Sequence, residues 1–70
     1  MNTYSIFSFG NEFICTQTAT GITITNPLNN NEHIGDIEGI SIPELDEHED
    51  TVVGFEVEVL NWLEANYWNE

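Results

Sequence analysis

The chain contains no lysine and no arginine. Its thirteen aspartates and glutamates face no side-chain cation of fixed charge, and the formal net charge is −13 over 70 residues. This argues against direct nucleic-acid binding, because phosphate contacts are made by Lys and Arg. It argues against an anionic membrane surface for the same reason. Self-repulsion works against the compact state while keeping the chain soluble. Ordinary solubility needs a net charge of only about 2–8, so the excess points to a basic partner.

Cysteine is limited to Cys15. A lone thiol forms no internal disulfide, and a disulfide-free chain of this size suits the cytoplasm. Cys15 lies in the apolar run Phe13-Ile14-Cys15 with no base or cation nearby to activate it. It reads as a small buried hydrophobe rather than a reactive thiol. No apolar stretch approaches the ~20 residues of a bilayer span. No basic segment followed by an apolar run opens the chain, so no signal peptide is visible.

Catalytic and metal signatures are missing as well. There is no glycine-rich phosphate loop and no nucleophile elbow, and a chain this short offers little room for a shaped cleft. A calcium loop wants glycine at its sixth position. Counting from Asp46 that position is Thr51, and counting from Asp36 it is Ser41. His33 and His48, with Asp36 or Glu44, have no second histidine in register for a transition metal. No catalytic residue, no metal site and no cofactor is expected.

Forty per cent of the residues are hydrophobic, enough for one core despite the charge. The chain is one domain at most. It buries only about 60% of its unfolded surface, so its stability is marginal. Three segments are distinguishable: a weakly charged β-meander over 1–31, an acidic connection over 32–50, and a C-terminal helix over 51–70. Residues 1–31 hold one acid, Glu12, and residues 32–70 hold the other twelve.

Residues 3–9 and 12–18 are β-branched and aromatic, and Gly10-Asn11 between them suits a two-residue hairpin turn. Thr20-Gly21 reads as a second turn, and 22–25 alternates with period two as a strand. Asn26-Pro27 and Asn29–Asn31 then break the chain. Residues 33–42 fit either a bulged fourth strand kinked at Gly35 and Gly39 or an irregular packed loop. Ser41-Ile42-Pro43-Glu44 fits a capping box opening a short helical turn through Leu45.

Residues 51–68 carry two periodicities. Val53, Phe55, Val57 and Val59 alternate as a strand would, whereas Val52, Phe55, Val59, Leu63 and Tyr67 recur at helical spacing. Length favours the helix, with Asp50 or Thr51 as its cap. Gly54 and four valines oppose it, Glu56 falls within the apolar stripe, and a strand over 51–58 followed by a helix over 59–68 is the alternative. The predicted fold is α+β: a small antiparallel meander of three to four strands with a C-terminal helix packed on one face. Ile6, Phe9, Ile14, Ile22, Ile24, Val59 and Leu63 are the expected core.

The acids are the expected contact surface. Glu44, Asp46, Glu47, Glu49 and Asp50 crowd into seven residues. Asp36 and Glu38 precede them, and Glu56, Glu58 and Glu64 follow. Trp68, near the end of the chain, is the candidate aromatic contact, in a homodimer or against a partner. Such carboxylate density approaches the charge spacing of a phosphate backbone. The expectation is therefore a non-enzymatic inhibitor that occupies the Lys/Arg groove of a nucleic-acid-binding protein. It is similar in charge and size to the small acidic phage and mobile-element proteins that block restriction or CRISPR complexes. An immunity or antitoxin-like protein bound to one basic toxin is an alternative, as is an adaptor subunit whose charge serves solubility.

Overall fold

The computed structural model describes residues 3–44 and 48–68. Four antiparallel strands run in the order β1-β2-β3-β4. They are β1 (Thr3–Ser8), β2 (Asn11–Gln17), β3 (Gly21–Asn26) and β4 (Glu32–Glu38), followed by one helix, α1 (Glu49–Asn66). The fold is α+β, a meander with a single C-terminal helix. The segment 32–50 thus opens with a fourth strand, and only the residues after Glu38 form a connection.

The first hairpin closes one residue earlier than its composition suggests. Ser8 pairs with Asn11, so the two-residue loop is Phe9-Gly10, with φ of +51° and +80°. Positive φ at both loop residues is what a type I′ turn requires, because its twist matches the strands it joins. Glycine takes that conformation freely, whereas a phenylalanine is strained in it. The turn sends Phe9 outward at 74% exposure, and it packs edge-on against Trp68. Phe9 is therefore not core.

This register decides every face. Ile6 pairs with Phe13, Tyr4 with Cys15, Cys15 with Ile24, and Ile22 with Ile37. These residues share the inner face, since side chains alternate along a strand. Ile14, one residue out of phase, points to the outer face and is only half-buried. The core is Ile6, Phe13, Cys15, Ile22, Ile24, Ile42, Phe55, Val59 and Leu63. Five of the seven expected core residues belong to it; Phe9 and Ile14 do not.

The second turn spans 18–20, and Gly21 begins β3 where a side chain would strike the backbone of Ile37 in β4. A short 3₁₀ turn (Pro27–Asn29), capped by the Asn26 side chain accepting from the Leu28 N–H at 3.0 Å, leads into β4. Asn30 and Asn31 both take left-handed φ there, which asparagine tolerates best after glycine. The β3–β4 register shifts between Ile24 and Thr25, where Gly35 and His33 are the partners. Ile34 is thereby the extra residue of a bulge.

The helix prevails over the strand alternative because its 3.6-residue repeat seats Phe55, Val59 and Leu63 together on the sheet. Its N-cap is His48, without a side-chain cap, rather than Asp50 or Thr51. Residues Ser41–Glu44 have no regular structure, and the helical turn expected through Leu45 lies partly outside the described residues.

Candidate functional site

Asp36 and Glu38 flank Ile37, which packs on the core. Their side chains therefore point to the outer face of the sheet, away from α1. Thr23 on the neighbouring strand donates to Oδ1 of Asp36 at 2.9 Å, and Nε2 of His33 lies 3.2 Å from the same oxygen. The His33 ring and then the Thr23 hydroxyl hold the Asp36 carboxyl below its ordinary value, both favouring the ionised form.

The helix carries the second group. Glu49 and Asp50 occupy its first turn, where the positive end of the helix dipole favours carboxylates. At 100° per residue, Asp50, Val57 and Glu64 lie opposite the buried stripe. Val53 and Val57 are about half exposed there, at 49% and 48%. Glu58 turns toward the connection and lines an open cleft with Gly39, Ile40, Ser41, Thr51, Gly54 and Phe55.

The connection is anchored by Gln17. Its Oε1 accepts the Ile42 N–H at 2.7 Å while its Nε2 donates to the Gly21 carbonyl at 2.7 Å. The Gly39 N–H also donates to the Thr20 carbonyl at 2.8 Å. These bonds fix the chain leading to the exposed Glu44. Asp46 and Glu47 lie outside the described residues. Gln17 carried no functional expectation, yet its place two and four residues after Cys15 and Phe13 marks it as a polar side chain on the inner face.

Two expected contact residues are engaged within the fold. Glu56 is half-buried and accepts a hydrogen bond from the Tyr4 hydroxyl, which explains a carboxylate inside an apolar stripe. The hydrogen bond to Glu56, burial and the nearby negative charge push the Tyr4 hydroxyl from 10.0 to about 12. Trp68 is half-buried too. Its indole N–H donates to Oγ of buried Ser8 at 3.0 Å, and its ring packs edge-on against Phe13 and Tyr67. Trp68 is thus tied to the sheet while part of its ring remains exposed. A closed core explains the positions of both.

Cys15 is fully buried, and burial pushes its thiol up to about 11. Among the described residues, no three His, Cys, Asp or Glu side chains gather as metal ligands would. No helix among them is long and apolar enough to cross a membrane.

Among the described residues, six of the expected contact carboxylates thus fall into two groups rather than one patch. Asp36 and Glu38 lie on the outer sheet face, and Glu49, Asp50, Glu58 and Glu64 lie on the exposed helix. Compared with protein-family models, curated proteins and solved structures, the chain matches none.

Proposed function

We propose that this protein is a small protein-binding inhibitor that mimics nucleic acid, entering the basic groove of a nucleic-acid-processing enzyme or defence complex. The observation that supports this reading is the placement of carboxylates on two opposite faces of a body without a single Lys or Arg. A flat cationic surface meets only one such face. A groove with basic walls on both sides meets both at once, as it does with the two strands of a duplex.

The density is of the right order. Ten acids fall within the described residues, along a long axis of 34 Å, or one per 3.4 Å. Duplex DNA carries about one charge per 1.7 Å of axis, so the protein reaches half that value. Charge of this kind steers association and makes it strongly salt-dependent.

The second reading, an immunity-type protein, is favoured by Val53 and Val57. Apolar residues beside Asp50 and Glu64 match an interface with an apolar centre and a polar rim. Competition separates the two. The partner is captured at low salt from the source cells, identified by mass spectrometry, and challenged with duplex DNA or RNA at constant ionic strength. The mimic reading expects a nucleic-acid-binding protein that nucleic acid displaces. It also expects weaker capture by D36N/E38Q and by E49Q/D50N/E64Q. A partner held equally well by both variants and indifferent to nucleic acid would end it.

A further inference from the structure

Two carboxylates flank β1 from opposite faces of the sheet. Glu56 reaches it from α1 and accepts the Tyr4 hydroxyl on the helix side. Glu12 reaches it across β2 and accepts the Ser5 hydroxyl at 2.7 Å on the outer face. Tyr4 and Ser5 are consecutive, so both acids attend one point of the strand. Both are half-buried, and each accepts through Oε2. An ionised carboxylate has acceptor sites on both oxygens, so each keeps a second oxygen for a cation. The chain has no Lys or Arg to supply one.

The backbone at the same point is open to another strand. Ser8 and Asn11 close a two-residue loop and exchange hydrogen bonds, so the bonded pairs alternate back along the hairpin. Tyr4, Ile6 and Ser8 then bond inward to β2, while the N–H and C=O groups of Thr3, Ser5 and Phe7 point out from the sheet. Among the described residues β1 pairs only with β2, in an unbroken register. Its own six residues hold no charge, proline or glycine. The far edge, β4, is bulged at Ile34 and carries Glu32, His33, Asp36 and Glu38, which are devices that keep an edge from pairing. Phe7 stands beside the β1 edge on the outer face at 63% exposure.

We infer that the β1 edge receives an extended segment of the basic partner, which joins the sheet as a fifth strand and sets one Lys or Arg against Glu12 and the next against Glu56. This deepens the function proposed above: it rests on a basic partner and names how that partner is held. Charge complementarity selects the occupant, because a second copy would bring Glu12 and Glu56 against their own like. Residues facing each other across a strand pair have Cβ atoms about 4.5–5.5 Å apart, so basic side chains opposite Ser5 and Tyr4 lie within reach of the two acids. In the antiparallel sense the segment reads apolar-x-basic-basic, with its apolar residue on Phe7. Backbone bonds supply the pairing and alternate side chains the selectivity. One strand is small beside the roughly 1,200–2,000 Å² of stable complexes, so the segment is one anchor of a larger contact and binds weakly alone.

A capped peptide, Thr-Val-Thr-Arg-Arg-Thr, is the probe, titrated to about 1 mM against the whole chain by NMR. Ser5 and Phe7 amides should gain protection from exchange as it binds, while Tyr4, Ile6 and Ser8 are protected throughout. Methylating alternate backbone nitrogens of the peptide, in the phase that faces β1, keeps its charge and should weaken binding by about tenfold or more. Glutamine in place of both arginines should weaken it as well. Glu12→Gln and Glu56→Gln should each cost about twofold to fivefold. Glu32→Gln should cost nothing measurable at physiological salt, since the far edge is about 14 Å away and the screening length about 8 Å. If a protein variant fails to fold, the peptide variants still decide. Binding that leaves Ser5 and Phe7 exchanging freely, or that ignores methylation or the loss of arginine, overturns the inference. Protection that rises with protein concentration alone overturns it as well. Nucleic-acid mimicry is judged separately, by displacement of the captured partner: displacement without edge protection defeats only the added strand, and edge protection without displacement defeats only the mimic.

Discussion

The six-membered ring of Trp62 occupies the space that a side chain on Gly35 would fill. Glycine in a strand weakens it but permits such close approach, so the helix reaches β4 through an indole seated on bare backbone. Gly35→Ala should destabilise the protein by about 1–3 kcal/mol, the usual cost of overpacking. Urea unfolding monitored by tryptophan fluorescence reads this directly. An unchanged midpoint would show that the indole is not seated there.

Gly54 is the opposite case. It lies inside α1, is exposed, and a Cβ built on it meets nothing within 4 Å. Gly54→Ala should stabilise by about 0.5–1 kcal/mol through helix propensity and a less flexible unfolded chain. Thermal melts should rise by about 4–8 °C per kcal/mol for a domain of this size. A lower melting temperature would contradict the helical assignment of 49–66.

Tyr4 and Glu56 predict a loss of stability in alkali. The folded protein holds the Tyr4 proton to about 12, while the unfolded chain releases it near 10.0. Between these values the folded state binds more protons, so stability falls as pH rises from about 10 to about 12. Tyr4→Phe should remove this part of the pH dependence. Denaturant midpoints across that range, alongside the near-ultraviolet absorbance of tyrosinate, provide the check. A native Tyr4 that ionises at the ordinary value would refute the pairing.

Salt should stabilise the fold itself. With net charge −13 and no Lys or Arg, repulsion among carboxylates opposes compaction. Raising ionic strength from 0.01 M to 0.15 M shortens the screening length from about 30 to about 8 Å. The urea midpoint should therefore rise steeply over this interval and flatten beyond it. No rise would mean that the carboxylates are too far apart to repel.

Much of the fold was legible in the sequence, for identifiable reasons. The period-two alternation of Ile22 and Ile24 and the helical spacing of Phe55, Val59 and Leu63 both report one-sided burial. Phe9 and Ile14 were misplaced because the hairpin closes at Phe9-Gly10, and a shift of one residue exchanges the faces of a strand. Residues 33–42 were ambiguous because the bulge at Ile34 and the bare backbone at Gly35 interrupt the alternation by which a strand is read. Of the candidate site, the acids on exposed positions were legible as charge. The use of Glu56 and Trp68 within the fold was not, because Tyr4 and Ser8 are distant in sequence.

Composition alone determined the electrostatics: a chain without Lys or Arg has no long-chain cation to neutralise its acids, whatever its fold. Apolar spacing determined that strands come first, and the length of the last apolar segment favoured a helix at the end. Only the tertiary structure decided which carboxylates remain available. Sheet pleat sends Asp36 and Glu38 to one face, and helix rotation sends Asp50 and Glu64 to the other. Burial turns Glu56 inward to Tyr4. The physical reason is that charge is additive along a chain, whereas direction depends on register, which is set by contacts between residues far apart in sequence.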